Sequence, residues 1–544
     1  MKKLPIGIRD FKDLIENDYL FADTTNIIAD FYHEMAKIIL ITRPRRFGKT
    51  LNMSMLSYFF DNTQQTSHLF KGFDIAKDGE VMKAINSYPT IFFTFKDIKD
   101  NTWNDCLLNI KTMLSNLYKE KEPLLKNVLK DKEEWKYYNS IVEMTATEVA
   151  YKNSLKTLIN YLEREYDKKV ILIIDEYDIP IQSGWTHGYY EDVIDFMRVF
   201  LSAALKDNSN LFKGILTGIY RVAKESIFSG LNNLKVFTVL NERYSNYFGF
   251  TEDKLENILE AINMKDNKEI KNGLKEWYNG YRFGKETIYN PWSVLNYLYD
   301  KELKPYWINT SSNDLIISLI EKNMKDNNIF REEIKQLISG GELRKTIDDA
   351  TSLREIERNL NSIWPLFLFS GYIKTEEMKL EKGKYKCKLK VPNEEVMIFF
   401  QDTVSEWLER HDYNRLEDMT QDLVKGKGEE FCENLKAYVM GTLSYYDIEK
   451  KSENTYHILL LGMFSHMQGD YWIKSNREYN HCVEFSPENS QGISYHKIPD
   501  VLLKAKDKDN YSAVIEIKAE TSHLWFWHGC VHLVGEEYCI IRQL

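Results

Sequence analysis

The chain has 544 residues, which is too many for one hydrophobic core and predicts several domains. Its 72 Lys and Arg residues against 82 Asp and Glu residues give a net charge of −10. This charge excludes a chain that is covered in positive charge throughout, as histones and ribosomal proteins are. Hydrophobic residues make up 43% of the chain and charged residues 28%, so wholesale disorder is excluded as well.

Cysteine usage and hydropathy both indicate a soluble protein from a reducing compartment. The six cysteines are scattered and form no CxxC pair, so neither a disulfide framework nor a zinc ribbon is predicted. The N-terminal sequence MKKLPIGIRDFKDLIEND lacks the apolar segment of a signal peptide. No apolar stretch approaches the roughly 18–20 residues of a membrane-spanning helix. We therefore expect a cytoplasmic protein that has no membrane partner.

The first half of the chain alternates short apolar runs with segments of helical periodicity. The apolar runs lie at Lys37–Thr42, Thr90–Phe95, Val170–Ile174 and Gly214–Ile219. Continuous apolar runs separated by helices are typical of parallel strands that are covered on both faces. The pattern predicts an α/β domain with a parallel sheet over residues 1–255.

The pattern changes after residue 255. Residues 256–420 contain long polar helical segments such as Asp253–Met264 and Asp326–Ile338, and they predict a helical middle region. Charged residues dominate 408–428, which we interpret as a domain boundary. Beyond it, residues 429–544 combine one helical segment with short strand-like runs and predict a small α/β module.

A candidate phosphate-binding loop follows the first apolar run. The segment ITRPRRFGKT ends with Gly48, Lys49 and Thr50, which match the P-loop pattern GxxxxGK[ST], and Arg43 stands in place of the first glycine. In such a loop, backbone N–H groups surround the phosphates, the lysine reaches the β- and γ-phosphates, and the hydroxyl binds Mg²⁺. A bare GKT is common by chance, so ATP binding is predicted only together with a second element.

That second element is the acidic end of a later apolar run. The segment VILIIDEYD places Asp175 and Glu176 where the strand should end. An acidic residue at this position holds Mg²⁺, and a neighbouring Glu activates the attacking water. The alternative is that both carboxylates only cap the next turn. Because both halves of the pattern lie at the exits of buried strands, we favour a nucleotide site.

Further polar residues are candidates for contacts with the nucleotide. Thr217, near the end of GILTGI, and Arg221 just beyond it could contact the γ-phosphate. The alternative has equal weight: Thr217 is only a polar residue at the end of a strand, and Arg221 is only a surface arginine. Arg43, Arg45 and Arg46 either stabilise charge on the phosphoryl group, contact a polyanion, or pair with carboxylates of the domain. All three lie in the loop itself, so we favour nucleotide contact for at least one, with Arg43 and Arg46 as candidates.

Several segments, in order from about residue 3 to about residue 376, resemble the AAA-ATPase-like family. They are LPIGIRDFKDL, RPRRFGKT, IIDEYDIPI, LTGIYRVAKESIFSGLNNL, FGFT, WYNGYRFG, YNPWS, YWINTSSNDLI and LFLFSGYIKT. The resemblance implies an AAA-like P-loop NTPase domain in which Arg43 is normal, a helical or lid region, and a C-terminal PD-(D/E)xK nuclease-superfamily domain. ATP and Mg²⁺ are the implied cofactors, and DNA is a partner by resemblance alone.

The C-terminal module carries the residue types that PD-(D/E)xK chemistry needs. Asp500 precedes a short apolar run, and the strand-like AVIEIK supplies Glu516 and Lys518 on one face. The two carboxylates would hold Mg²⁺, while the metal and the lysine would activate water. Glu453 in ENTYH, and the later SNRE, resemble further segments of the family. Alone, the D…ExK pattern is common by chance, and a solvated strand face is the alternative.

The end of the chain departs from the family pattern. The segment 479–497 is longer than the family's turn, and after residue 520 the chain reads TSHLWFWHGCVHLVGEEYCIIRQL, where the family continues with a helix and another strand. We interpret 521–544 as a frameshifted or truncated tail of this restriction-endonuclease-like module. The alternative is a metal site, although its spacing is unlike that of common zinc modules. Its ligands would be His523, His528, Cys530 and His532.

The sequence thus predicts an ATP-binding and ATP-hydrolysing AAA-like protein that is coupled to a nuclease-like module acting on DNA. The alternative is a non-catalytic, nucleotide-dependent switch or binding protein whose nuclease-like domain is inactive.

Overall fold

The computed structural model describes most of the chain before residue 408 and several strands beyond it. These residues form two compact units, 1–316 with 342–398, and 317–341 with 399–544. The described residues are 2–125, 127–220, 233–310, 313–349, 353–354, 362–404, 406–407, 422, 427, 430, 434, 471–475, 501–506, 512–520 and 523–531.

A five-stranded parallel sheet lies at the centre of the first unit. Its spatial order is β2-β3-β4-β1-β5. Every residue of the first and third strands is buried, as expected for a sheet covered on both faces. The predicted parallel sheet is confirmed, with one additional edge strand. The strands are β1 (Ile38–Thr42), β2 (Thr90–Thr94), β3 (Val170–Asp175), β4 (Leu211–Gly218) and β5 (Leu234–Phe237).

Helices connect the strands of this sheet. Side-chain caps define several of their starts; for example, Thr147 accepts a hydrogen bond from the backbone N–H of Ala150. None of the helices among the described residues has the length and apolar character needed to cross a membrane. The helices are α1 (Phe11–Glu16), α2 (Ile27–His33), α3 (Lys49–Phe60), α4 (Trp103–Leu125), α5 (Lys132–Val142), α6 (Glu148–Tyr166), α7 (Ile179–His187) and α8 (Tyr190–Leu205).

The middle of the chain contains the predicted helices and also strands. The strands form one hairpin and one three-stranded antiparallel sheet of order β8-β10-β9. This differs from the helical prediction because the run KYKCKLK alternates with the period of a strand. The elements are α9 (Glu252–Ala261), α10 (Lys268–Tyr278), β6 (Tyr281–Phe283), β7 (Glu286–Ile288), α11 (Pro291–Asp300), α12 (Asp314–Asp326), α13 (Asn328–Ile338), β8 (Leu343–Ile347), α14 (Ile363–Ser370), β9 (Lys374–Glu381) and β10 (Lys384–Lys390).

Four strands of the second unit form an antiparallel sheet of order β11-β12-β13-β14. Its last strand covers residues in which the family pattern implies a helix, and it pairs along the whole of β13, from Ser512 opposite Val531 to Glu520 opposite His523. The helical segment predicted near residues 455–467 lies outside the described residues. The strands are β11 (Tyr471–Ser475), β12 (Val501–Ala505), β13 (Ser512–Glu520) and β14 (His523–Val531).

Candidate active site

The candidate P-loop joins the end of β1 to the start of α3. Gly48 caps α3 with a φ of 84°, and Arg46 has a φ of 69°. The left-handed region costs a residue with a Cβ atom about 1–2 kcal/mol, and such strained positions cluster at ligand sites. The loop therefore presents the N-terminus of a twelve-residue helix, whose first N–H groups have no partner within the helix.

Lys49 is folded back onto its own loop. It is only 4% exposed, and its ammonium donates to the carbonyl oxygens of Arg43 at 3.2 Å and Pro44 at 3.0 Å. Burial lowers the pKa of Lys49, while the nearby carboxylates of Glu176 and Asp175 raise it. The lysine is thus a buried cation held at the loop by carbonyl dipoles and by the acidic pair.

Asp175, the last residue of β3, is fully buried and accepts hydrogen bonds from three threonines. Thr50 donates to Oδ2 over 2.7 Å, Thr217 donates to Oδ1, and Thr94 donates to Oδ2 over 3.4 Å. Burial and the neighbouring Glu176 raise the pKa of Asp175, whereas the bonds from Thr217 and Thr50 lower it. The structure thus brings together residues from β2, β3, β4 and α3, and three of them, Thr50, Asp175 and Thr217, were predicted site residues.

Glu176 follows directly and has a φ of 52°. Its side chain lines the same cavity as Lys49 and Thr50. A glutamate in the left-handed region is uncommon, and here the backbone is held by the N–H of Tyr177, which donates to the carbonyl of Thr217 over 3.0 Å. Glu176 therefore leaves the strand toward the cavity, while Asp175 stays in the interior.

A cavity of about 370 Å³ opens beside the P-loop. Its size lies within the usual range of roughly 300–1,000 Å³ for small-molecule sites. Apolar residues such as Ile8, Phe21 and Phe250 line part of it. Six cations against two carboxylates give its lining a formal charge of +4, which favours an anionic ligand. The charged residues are Arg9, Arg45, Arg46, Lys49, Lys96, Lys99, Asp97 and Glu176.

Arg43 does not line this cavity. It is fully buried, and its guanidinium donates to the carbonyl oxygens of Thr42 at 2.7 Å, Phe237 at 3.1 Å and Tyr244 at 3.0 Å. The ring of Phe248 lies 5.3 Å away. Burial lowers the pKa of Arg43 to about 9, which still leaves it charged near neutral pH. Its position does not fit the predicted contact with nucleotide and instead fits a structural role.

The other two arginines of the loop do line the cavity. Arg46 stacks on an indole ring, with its Cζ 4.3 Å from the ring centroid of Trp292. Burial and the charge of Arg9 lower the pKa of Arg46. Arg45 donates from Nη2 to Gln182 Oε1 over 3.1 Å. The structure therefore assigns three different surroundings to the three arginines, which the sequence could not distinguish.

Of the remaining predicted residues, Arg221, Glu453, Asp500 and His532 are outside the described residues. Glu516 and Lys518 lie two positions apart in β13. Within the described part of the chain, no group of three or more His, Cys, Asp or Glu side chains could hold a metal ion.

Sequence reasoning missed several residues that the structure brings to the site. They are Arg9, Thr94, Asp178, Gln182 and Trp292. A signal existed for Asp178, which stands three residues after Asp175 in the same acidic segment. Thr94 lies in the apolar run 90–95 and Trp292 in the segment YNPWS, but neither pattern marks them as site residues, because their places depend on strand order and on the packing of α11.

One family model matches the part of the chain that holds this site. Residues 5–228 match a family model described as a predicted AAA-ATPase, and this range holds the P-loop, the acidic pair and β4. An uncharacterized protein in the vnfD 5′ region of Azotobacter chroococcum mcd 1 is 25% identical over 403 residues, which is 73% of this chain and 68% of that protein. A Walker-type ATPase of Pyrococcus abyssi is similar over 71% of this chain and 96% of its own, with 12% identity and a TM-score of 0.36.

Proposed function

We propose that this protein binds and hydrolyses ATP at the P-loop cavity, with Mg²⁺ as the metal. The observation that carries the proposal is the hydrogen bond of 2.7 Å between Thr50 and Asp175. In P-loop NTPases, the hydroxyl after the loop lysine and the acidic residue of a second strand together hold the metal. The match of residues 5–228 to a predicted AAA-ATPase family supports the same activity.

The donor atoms at this point fit a magnesium nucleotide. Mg²⁺ prefers oxygen ligands and usually keeps several waters, so that one or two protein oxygens are enough. Thr50 and Asp175 supply a hydroxyl and a carboxylate side by side. When bound, the metal neutralises charge that develops on the β- and γ-phosphates. Thr217, on the other carboxylate oxygen of Asp175, fixes the orientation of that ligand.

Groups of the chain itself would bind the phosphates and activate the attacking water. The Lys49 ammonium would exchange the carbonyls of Arg43 and Pro44 for phosphate oxygens, which carry a full negative charge. Helix α3 would direct its N-terminal N–H groups at the same phosphates. Glu176, which lines the cavity next to Lys49, would orient the attacking water and accept its proton.

The test separates binding from hydrolysis. We expect Glu176→Gln to bind ATP but to release phosphate at least roughly a hundredfold more slowly, because the amide cannot accept the proton. Lys49→Ala should lose ATP binding itself. Glu80→Gln and Lys71→Ala, at exposed positions, serve as matched controls. Unchanged phosphate release in Glu176→Gln would contradict this mechanism, and ATP binding without turnover in the native protein would favour a nucleotide-dependent switch.

A Mg²⁺-dependent nuclease acting on DNA is the second candidate function. It rests on the resemblance to PD-(D/E)xK proteins and on one backbone feature: β12 runs antiparallel to β13, with Val501 opposite Ile515. Glu516 is the next position of β13 after this pairing. Glu516 and Lys518 fall on one face by strand alternation.

The nuclease proposal needs its own measurement. We expect cleavage of double-stranded DNA in the presence of Mg²⁺ to be abolished by Lys518→Ala and to persist in Lys504→Ala, whose residue lies in β12. Cleavage that survives Lys518→Ala would point to a contaminating enzyme. If the native protein cleaves no DNA, the result favours the alternative prediction of a nucleotide-dependent binding protein whose nuclease-like domain is inactive.

A further inference from the structure

The antiparallel sheet β8-β10-β9 carries a row of lysines on its central strand. β10 reads KYKCKLK, with a lysine at every second position. Successive side chains of a strand point to opposite faces, so these lysines share one face and follow one another about 6.8 Å apart. Cys387 and Leu389, which lie between them, are buried. The lysines therefore form the outer face of the sheet, called here the lysine face, with Lys384, Lys386, Lys388 and Lys390 along β10.

The two outer strands add further cations to the lysine face. In the register of the sheet, Lys386 lies opposite Thr346 of β8 on one side and Lys379 of β9 on the other. Arg344, two positions before Thr346, falls on the same face. A depression of about 340 Å³ opens here, and five cations against one carboxylate give its lining a formal charge of +4. The charged lining residues are Arg344, Lys345, Lys379, Lys386, Lys388 and Glu377.

Several of these lysines form ion pairs that an anionic partner can replace. Lys386 and Lys379 both contact Glu381, at 2.6 Å and 3.0 Å, and yet their side chains are 64% and 78% exposed. Lys388 contacts two glutamates, at 2.7 Å and 3.3 Å. Exposed pairs of this kind contribute only about 0–1 kcal/mol each. Phosphate oxygens can therefore take the place of these carboxylates at little cost in free energy.

The composition of the lysine face favours one class of anionic partner. At the positions of β8, β9 and β10 that alternate onto this face, every side chain is charged except the hydroxyl of Thr346. Binding to a membrane surface uses apolar side chains that insert, and binding to single-stranded nucleic acid uses aromatic rings on which bases stack. A nucleic-acid duplex instead presents a regular row of phosphates, roughly one charge per 1.7 Å of its axis, which lysines bind as point charges.

We propose that the lysine face binds the phosphate backbone of duplex DNA without reading its sequence. The lysines exchange their glutamates for phosphates, and the counterions of the DNA are released. Because the whole chain has a net charge of −10, this local patch and not the overall charge attracts the duplex. The choice of DNA over duplex RNA rests on the second candidate function, whereas the binding itself requires neither cleavage nor ATP.

Fluorescence anisotropy of a short labelled DNA duplex with the full chain tests the proposal, in EDTA so that no metal-dependent cleavage occurs. We expect a dissociation constant of about 10⁻⁶–10⁻⁴ M at physiological salt, as for other sequence-independent contacts. Combining Arg344→Gln, Lys379→Gln and Lys386→Gln should weaken binding at least about tenfold at low salt. The same variant should reduce the slope of log K against log salt concentration by roughly 2–3, since each phosphate contact contributes about 0.9.

Two further variants keep the test independent of folding. Combining Lys77→Gln, Lys265→Gln and Lys285→Gln removes the same charge from three exposed, ion-paired lysines elsewhere, and it should bind DNA like the native protein. Glu377→Gln removes a carboxylate that competes with phosphate on the lysine face, and it should tighten binding about threefold. Damage to the fold cannot produce tighter binding. Thermal unfolding of each variant checks that it is folded.

The outcomes separate this proposal from both candidate functions. Equal affinity and equal salt dependence in the lysine-face variant and in its control would overturn the proposal. Tighter binding of polyglutamate, or of duplex RNA of the same length, would overturn the assignment to DNA. If the native protein binds DNA at the lysine face but cleaves none, the proposal stands and the nuclease function fails. If it cleaves DNA while the lysine-face variant still binds normally, the nuclease function stands and the proposal fails.

Discussion

Thr50 donates a hydrogen bond of 2.7 Å to Asp175, although 125 residues separate the two in the chain. The contact follows from the order β3-β4-β1 at the centre of the sheet. The carboxyl ends of parallel strands meet at one edge, so the P-loop after β1 and the acidic end of β3 face each other. The strand between them, β4, contributes Thr217 to the other oxygen of Asp175.

Because of this contact, we expect the hydroxyl of Thr50 to be required for Mg²⁺-dependent phosphate release. We expect Thr50→Val, which keeps the shape but removes the donor, to lower Mg²⁺-dependent phosphate release by at least about tenfold, since one metal ligand and one partner of buried Asp175 are lost. Thr50→Ser keeps the hydroxyl and should retain most activity. Steady-state assays over a Mg²⁺ titration check this, and equal activity of the Val and Ser variants would contradict it.

Arg43 should behave as a residue of the core. Arg43→Met removes the guanidinium that donates to the carbonyls of Phe237 and Tyr244 in the interior. We expect a loss of roughly 3 kcal/mol in the free energy of unfolding, as measured in urea. Arg46→Met, which removes a cation from the cavity lining, should instead weaken ATP binding with little change in stability. The prediction is wrong if both variants unfold at the same urea concentration as the native protein.

The parallel sheet and the two motif halves were predictable because each rests on local pattern. Buried parallel strands are short apolar runs, and the P-loop residues lie side by side in the sequence. The role of Arg43 was not predictable, since its carbonyl partners Phe237 and Tyr244 are about 200 residues away. The same holds for Gln182, whose partners are set by how α7 packs against the loop and β4.

The stack of Arg46 on Trp292 links the P-loop to α11. A cation over an indole contributes about 0.5–2 kcal/mol, and here it holds a residue with a left-handed backbone. We expect Trp292→Ala to weaken ATP binding by roughly fivefold, because the Arg46 side chain loses its support. Trp292→Phe keeps a ring and should lose less. Titration with a fluorescent ATP analogue measures both, and Trp472→Ala, in the second unit, is the control.

The burial of Glu395 predicts a pH-dependent stability for the first unit. Its carboxylate is fully buried and accepts hydrogen bonds from the backbone N–H of Trp307 at 2.5 Å and from Ser293 Oγ at 2.9 Å. Burial raises its pKa from 4.5 to about 7, although these bonds oppose the shift. The folded protein therefore holds a proton on Glu395 at pH values where the unfolded chain has lost it.

The contribution of Glu395 to stability should fall as the pH rises. Between the unfolded pKa of 4.5 and the folded pKa of about 7, folding takes up a proton, so the contribution of Glu395 to stability is present below this window and is lost as the pH rises through it. The loss is about 1.4 kcal/mol for each pH unit crossed inside the window. We expect Glu395→Gln to remove this slope, because the amide stays neutral and can still accept the N–H of Trp307.

Urea unfolding at several pH values between 4.5 and 8 measures the slope. The difference in free energy of unfolding between the native protein and Glu395→Gln should grow as the pH rises, in favour of the variant. Glu394→Gln, at the neighbouring partly exposed position, should show the native pH dependence. A constant difference across this range would mean that Glu395 has the same protonation state in the folded and unfolded chains.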